Sequence, residues 1–311
     1  MTTFTFRPAK RERVGLLIGI AGASGSGKTF SAMRLAAGIS GGKPFAVIDT
    51  ERRRALHYAG QFQFDHCEIE APFHPAQYAD AISAADKAGY PVIVVDSMSH
   101  EWAGEGGVLD MADAELNRMG GGESKKMASW IKPKMAHKKM MTRLLQCNAH
   151  LILCFRAEPK IEMVKENGKM VVKAKESLIG KDGWIPVCEK SLPFALTAYF
   201  LMTSDQPGVP QPIKLQEQHR ALFPLDHVID EASGRRVADW ANGGEPGPKP
   251  SALSAILSRF AELGITIEDL TDHLGRAPIE SDVPTLTAYG KKIANERANQ
   301  PTPPQNEEPQ E

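Results

Sequence analysis

The residues best suited to chemistry stand early in the chain, in the run Gly22-Ala23-Ser24-Gly25-Ser26-Gly27-Lys28-Thr29. Glycines at this spacing let successive backbone N–H groups converge on phosphate oxygens. The lysine after them reaches the β- and γ-phosphates, and the Thr29 hydroxyl is suited to Mg²⁺. ATP and Mg²⁺ are therefore the expected ligands. An unrelated glycine-rich turn would lack the apolar run 16–21 before it and the helical pattern 28–39 after it.

Two carboxylates fit the same chemistry. Val92-Ile93-Val94-Val95 is a β-branched run ending in Asp96, the pattern of a buried parallel strand that delivers a carboxylate to the metal's shell. Val47-Ile48-Asp49-Thr50 leads to Glu51, which could polarise an attacking water at the γ-phosphate. Spacing alone leaves Glu51 equally open as a solvated partner of Arg52, Arg53 or Arg54.

Strands at 16–21, 45–49, 92–96, 151–155 and 198–202 should alternate with helices at 28–39, 76–88 and 125–147. That alternation predicts an α/β fold with a mainly parallel sheet. Alternating residues either side of Asn167-Gly168 predict a hairpin leaving the sheet's carboxyl edge, where ligands of open α/β sheets bind. The expected organisation is a basic lead at 1–13, a core at 14–242 and a Gly/Pro linker at 243–250. A small helical unit at 251–298, with Thr266 and Asp269 as a capping box, and a disordered acidic tail at 299–311 complete it.

Composition narrows the partners. Across 311 residues the formal net charge is −1, which excludes a uniformly basic nucleic-acid coat but allows a local patch. One exists: the stretch 125–139 holds Lys125, Lys126, Lys132, Lys134, Lys138 and Lys139 with Trp130 and no acid. Lysines neutralise phosphates and an indole can stack on a base, so single-stranded DNA is a fitting partner. A solvated helix face with Trp130 packed inward fits the same residues. Lys165, Lys169, Lys173 and Lys175 offer a second cationic strip on the hairpin. The four cysteines, Cys67, Cys147, Cys154 and Cys188, are too scattered for a zinc knuckle or a disulfide framework, and no structural metal is expected. No apolar run is long enough to span a membrane, so a cytoplasmic protein is expected.

The order of phosphate loop, Ile48-Asp49-Thr50-Glu51 and Val92 through Ser97 resembles the RecA-like recombinase ATPases. A closer resemblance is to the AAA-type phage ATP-binding proteins, including those of the single-strand annealing recombinase group. It rests on Asp96-Ser97-Met98-Ser99-His100-Glu101-Trp102 with Gly106-Gly107-Val108-Leu109, on 150–157, and on 214–224. The resemblance implies a RecA-like P-loop core over residues 14–242, with Glu51 as catalytic base. It implies ATP hydrolysis, a homo-oligomer, and a role in phage DNA recombination, annealing or repair in a bacterial host cell. RecA-like proteins usually carry a polar amide after the fourth strand as γ-phosphate sensor, and here Arg156 takes that place. Where the phage pattern reads K-D-R, this chain has Gln218-His219-Arg220, leaving Arg220 with Lys214 as candidates to reach a neighbour's nucleotide. A nucleotide or small-molecule kinase, or a module in which ATP only gates binding, would share the phosphate loop.

Overall fold

A computed structural model describes residues 14–166, 169–243, 253, 256, 257, 259, 260 and 265–298. The basic lead, the Asn167-Gly168 turn, nearly all of the linker and the tail lie outside the described residues. The chain divides into two compact units, Met1–Lys249 and Pro250–Glu311.

The first unit is a mixed, mostly parallel sheet covered by helices, an α/β P-loop core. Its strands are β1 (Leu17–Gly22), β2 (Phe45–Asp49), β3 (Phe64–Glu68), β4 (Val92–Asp96), β5 (His150–Pro159), β8 (Trp184–Pro186), β9 (Ala198–Met202) and β10 (Gln211–Leu215). Across the sheet the order is β10-β9-β1-β5-β4-β2-β3, with β8 antiparallel against the far end of β5. β1, β2, β4 and β9 are buried along their whole length, which explains why they read as unbroken apolar runs. β3 alternates between half-buried and exposed residues at the sheet's edge, and that alternation conceals it in the sequence.

Helix α1 (Lys28–Ser40) lies against the sheet and is clamped by α8 (Glu231–Ala241). The two backbones touch at Gly38 and Gly234: a Cβ on Gly38 would stand 2.1 Å from the Glu231 carbonyl oxygen. Arg34 adds a bidentate bond to the Glu231 carboxylate, at 2.6 to 3.0 Å. These contacts hold the phosphate loop from behind.

Between β2 and β5 come α2 (Pro75–Ala88), α3 (Ser99–Ala103), α4 (Val108–Arg118), α5 (Glu123–Ser129) and α6 (Ile131–Leu144). The single helix expected at 125–147 is corrected to two, joined at Trp130. Pro133 accounts for the break. It has no N–H for the Ser129 carbonyl four residues earlier, and its ring crowds that oxygen.

Beyond β5 the chain forms the hairpin of β6 (Ile161–Glu166) and β7 (Lys169–Ala174), in a register that pairs Glu166 with Lys169. One face carries Ile161, Met163, Met170 and Val172, all exposed. A short helix, α7 (Leu192–Ala195), precedes β9. In the second unit, α9 (Ile267–Leu274) begins with the expected box. Asp269 N–H donates to Thr266 Oγ1 at 3.1 Å, and Thr266 N–H donates to the Asp269 carboxylate at 2.8 Å. α10 (Val283–Ala298) packs Leu286 with Leu270 and Phe260. Among the described residues no helix is long and apolar enough to cross a membrane.

Candidate nucleotide site

Strand order decides which side chains meet. Because β5 lies between β1 and β4, Gly22 stands beside Arg156 in register. β4 and β2 then end together, with Asp96 opposite Asp49. The phosphate loop, Arg156, Asp96 and the segment leading to Glu51 therefore share one carboxyl-terminal edge, though they come from distant parts of the chain.

Within the loop, Gly25 and Gly27 take left-handed backbone angles, with φ of 80° and 82°. Gly27 has a second reason to lack a side chain, since a Cβ there would lie 2.8 Å from Gly208 N. Gly208 N–H donates to the Ser26 carbonyl at 2.9 Å, tying the loop to the segment after β9. Ser26 is buried and donates its hydroxyl to Ala23 O at 2.9 Å, while Ser24 and Gly25 face solvent. Gly22 closes β1.

Lys28 folds back so that Nζ donates to the Ala23 carbonyl at 2.8 Å. Burial lowers the pKa of its ammonium, against the opposing pull of Asp96 and Glu51 among others. Thr29 Oγ1 donates to Asp96 Oδ2 at 2.5 Å. Burial raises the Asp96 pKa, helped by the Glu51 and Asp49 charges and opposed by the Thr29 hydroxyl and the Lys28 charge. A buried ammonium beneath a glycine cradle fits a polyphosphate. Two hard oxygens in contact, one a carboxylate with little internal compensation, fit Mg²⁺. Thr29 and Asp96 would hold that ion.

The turn bearing Glu51 is built by Asp49. Its buried carboxylate accepts the N–H groups of Glu51 and Ala55 at 2.6 and 2.9 Å, and His66 Nε2 lies 3.3 Å away. Arg52 and Arg53, between them, take left-handed angles with φ of 55° and 63°. Glu51 Oε1 accepts Arg156 Nη2 at 2.7 Å and Nε at 3.0 Å. Arg54 stands 3.5 Å from the other oxygen, and Arg53 pairs instead with Glu68. Burial raises the Glu51 pKa, but the Arg156 hydrogen bonds and charge, helped by His100 and Arg54, leave the carboxyl below its ordinary value.

A family model described as an AAA domain matches residues 15–180. The chain belongs to the AAA-domain family. Among curated proteins none matches it. The matched AAA domain contains the phosphate loop, Glu51, Asp96, the basic helices, Arg156 and the hairpin, and it marks a nucleotide-binding, ATPase-like domain.

Other expected site residues stand apart from this edge. Beyond the AAA match, Lys214 lies opposite Tyr199, toward the amino ends of the parallel strands, and donates Nζ to the Phe194 carbonyl at 2.7 Å. Arg220 is exposed in the 3-10 turn Glu217–Leu222 that follows β10, without an ion pair among the described residues.

Within the AAA domain, α6 turns Pro133, His137, Met140 and Leu144 inward. Its solvent face carries Ile131 and Met135 along the middle, flanked by Lys134 and Lys138 on one side and Lys132 and Lys139 on the other. Acids absent from the local sequence arrive from elsewhere: Glu115 lies 3.0 Å from Lys132 and Glu189 lies 3.9 Å from Lys134. Lys138 and Lys139 have no ion pair among the described residues. Trp130 is half-buried and stacks on Trp102, 6.0 Å between centroids and 28° between planes.

Sequence reasoning assigned no part to Asp49, Thr50, His100 or the buried pair Glu101–His137. That pair, 2.9 Å apart, joins α3, next to the Asp96 strand, to the inward face of α6. The available signal was the density of polar residues in Asp96-Ser97-Met98-Ser99-His100-Glu101, directly after a fully apolar strand.

Proposed function

We propose that this chain is a RecA-like, Mg²⁺-dependent ATPase that binds single-stranded DNA and works as a homo-oligomer in phage-type recombination, annealing or repair. The observation that carries the catalytic part is the Thr29–Asp96 contact of 2.5 Å beside Lys28, on the edge that also presents Glu51 and Arg156. Lys28 exchanges its Ala23 carbonyl for the β- and γ-phosphates, and Thr29 and Asp96 hold Mg²⁺, which neutralises phosphate charge when bound. Glu51 takes the proton of the attacking water. Arg156 leaves Glu51 to face the γ-phosphate.

The DNA part is supported by α6, whose lysines flank an exposed apolar strip. Cations there would meet phosphates while Ile131 and Met135 lie against sugars and bases. Lys214 and Arg220, remote from their own loop, would serve a neighbouring subunit. Phosphate release from ATP, measured with and without single-stranded DNA, tests the whole reading, and stimulation by DNA is expected. No hydrolysis in any condition would remove it.

One observation favours a second reading, in which ATP only gates binding: Glu51 is already engaged by Arg156. On that reading Glu51→Gln would leave ATP-dependent DNA binding and its release unchanged.

A further inference from the structure

His100 stands where the Glu51 turn meets the start of α3. Its Nδ1 lies 2.7 Å from Thr50 Oγ1, and its ring stacks on Phe73 with centroids 4.8 Å apart and planes 23° apart. Those contacts fix the ring so that Nε2 faces Glu51 Oε1 at 4.0 Å. Thr50 Oγ1 accepts the Ser97 N–H at 2.8 Å and can donate to the Ser97 carbonyl at 3.1 Å or to His100 Nδ1, so its hydroxyl accommodates either ring tautomer. The Glu51 carboxylate in front of Nε2 favours the tautomer that carries its proton there. The other tautomer would set a lone pair against a negative charge.

Glu51 thus has two partners of different character. Arg156 is a full cation in contact with it, and His100 is an N–H just beyond hydrogen-bond distance. Burial, with the nearby Arg156 charge, lowers the His100 pKa and keeps the ring neutral near pH 7. A carboxylate clamped by a guanidinium is a weak base, because the cation favours its ionised form.

We propose that His100 is the positioning residue that takes over Glu51 when Arg156 moves to phosphate, keeping the carboxylate aimed without the guanidinium's charge. This rests on the reading of Glu51 as the base. Other charged groups around Glu51 are Arg156 from β5, Arg54 from the Glu51 turn, Lys28 from α1 and Asp96 from β4; Phe73, ahead of α2, brings an aromatic ring, and Tyr78 of α2 donates its hydroxyl to the Ser97 carbonyl beside Thr50.

The test is steady-state ATP hydrolysis by the full chain, comparing wild type with His100→Ala, His100→Gln, His100→Asn and Glu51→Gln, each with its melting temperature. His100→Ala should lower kcat roughly ten- to a hundred-fold, the scale of a misaimed catalytic group. KM and the affinity for a fluorescent ATP analogue should stay within about twofold. Glutamine, whose amide N–H reaches the Nε2 position, should recover most of that loss, and asparagine, which reaches only Nδ1, should not. Wild-type kcat should also fall as pH drops below the ordinary imidazole range, where His100, its pKa lowered by burial, takes up a proton and adds a second cation to Glu51. His100→Gln should lose that part of the profile. A normal kcat in a stably folded His100→Ala variant, with Glu51→Gln inactive, would overturn the role of His100 alone. Equal losses in all three His100 variants, matched by equal drops in melting temperature, would reduce it to a packing residue. Wild-type turnover by Glu51→Gln would remove the base reading and this proposal with it.

Discussion

Arg156 holds a single oxygen of Glu51 with two of its nitrogens, Nη2 at 2.7 Å and Nε at 3.0 Å, across a sequence gap of 105 residues. The pair joins the strand inserted beside the phosphate loop to the turn beyond β2. Arg156 remains half-exposed, and Glu51 is largely covered. Of the two partners, the guanidinium is the more accessible to an incoming anion.

Glu51→Gln should keep ATP bound and slow hydrolysis by ~10²-fold or more, the usual contribution of a positioned base. Nucleotide affinity and turnover measured on one preparation check this. A rate within a few-fold of wild type would assign the water to another group.

The same pair should make stability depend on pH. Glu51 has a folded pKa below its ordinary value, so its ionisation favours the folded state above the unfolded carboxylate range. That contribution fades as pH falls through the folded pKa. Arg156→Ala should therefore melt below wild type near neutrality, with the gap closing in acid. Because Arg156 is half-exposed, the gap should be no more than about 1 kcal/mol. A gap independent of pH would mean that the ion pair is not its source.

Lys28→Ala should abolish tight ATP binding, since it removes the charge that faces the β- and γ-phosphates. Asp96→Asn should retain some nucleotide affinity and lose its dependence on Mg²⁺. Titration of a fluorescent ATP analogue with and without Mg²⁺ separates the two. Near-normal affinity in Lys28→Ala would sink the phosphate-loop assignment.

Much of this site was legible because its carriers are local. The β-branched run 92–95 favours a buried strand, and the glycine spacing before Lys28, between an apolar run and a helical pattern, marks a phosphate loop within one short stretch of chain. Long-range pairing was not legible. Asp49, between Ile48 and Thr50, had no role in sequence, because its work is to accept N–H groups from a turn that exists only once β2 is in place. The acids that meet Lys132 and Lys134 come from α4 and from the segment before α7, so the patch looked more cationic than it is. Pro133 was a local signal for the break at Trp130, masked by the helical pattern on both sides.

Replacing Lys132, Lys134, Lys138 and Lys139 together by Ala should weaken single-stranded DNA binding and flatten its salt dependence. The log–log salt slope should fall by roughly 0.7 for each phosphate that is no longer neutralised. Lys138 and Lys139, which form no ion pair among the described residues, should account for more of the loss than Lys132. Trp130→Ala should cost about 1–3 kcal/mol of DNA affinity if the indole also stacks on a base. A lower melting temperature with unchanged affinity would limit Trp130 to its contact with Trp102.

Removing one member of the buried Glu101–His137 hydrogen bond should destabilise the fold by about 1–3 kcal/mol, because a buried polar partner is left unsatisfied. Denaturant unfolding of His137→Ala checks this, and a change below about 0.5 kcal/mol would show that the site relaxes around the substitution.

Whether this chain hydrolyses ATP through Glu51 is decided by phosphate release from the full chain with Mg-ATP, with and without single-stranded DNA, in wild type and Glu51→Gln. Mg²⁺-dependent turnover should rise with DNA and nearly vanish in the variant. Phosphate delivered to a small acceptor instead of water, or ATP bound tightly and never hydrolysed, would contradict it.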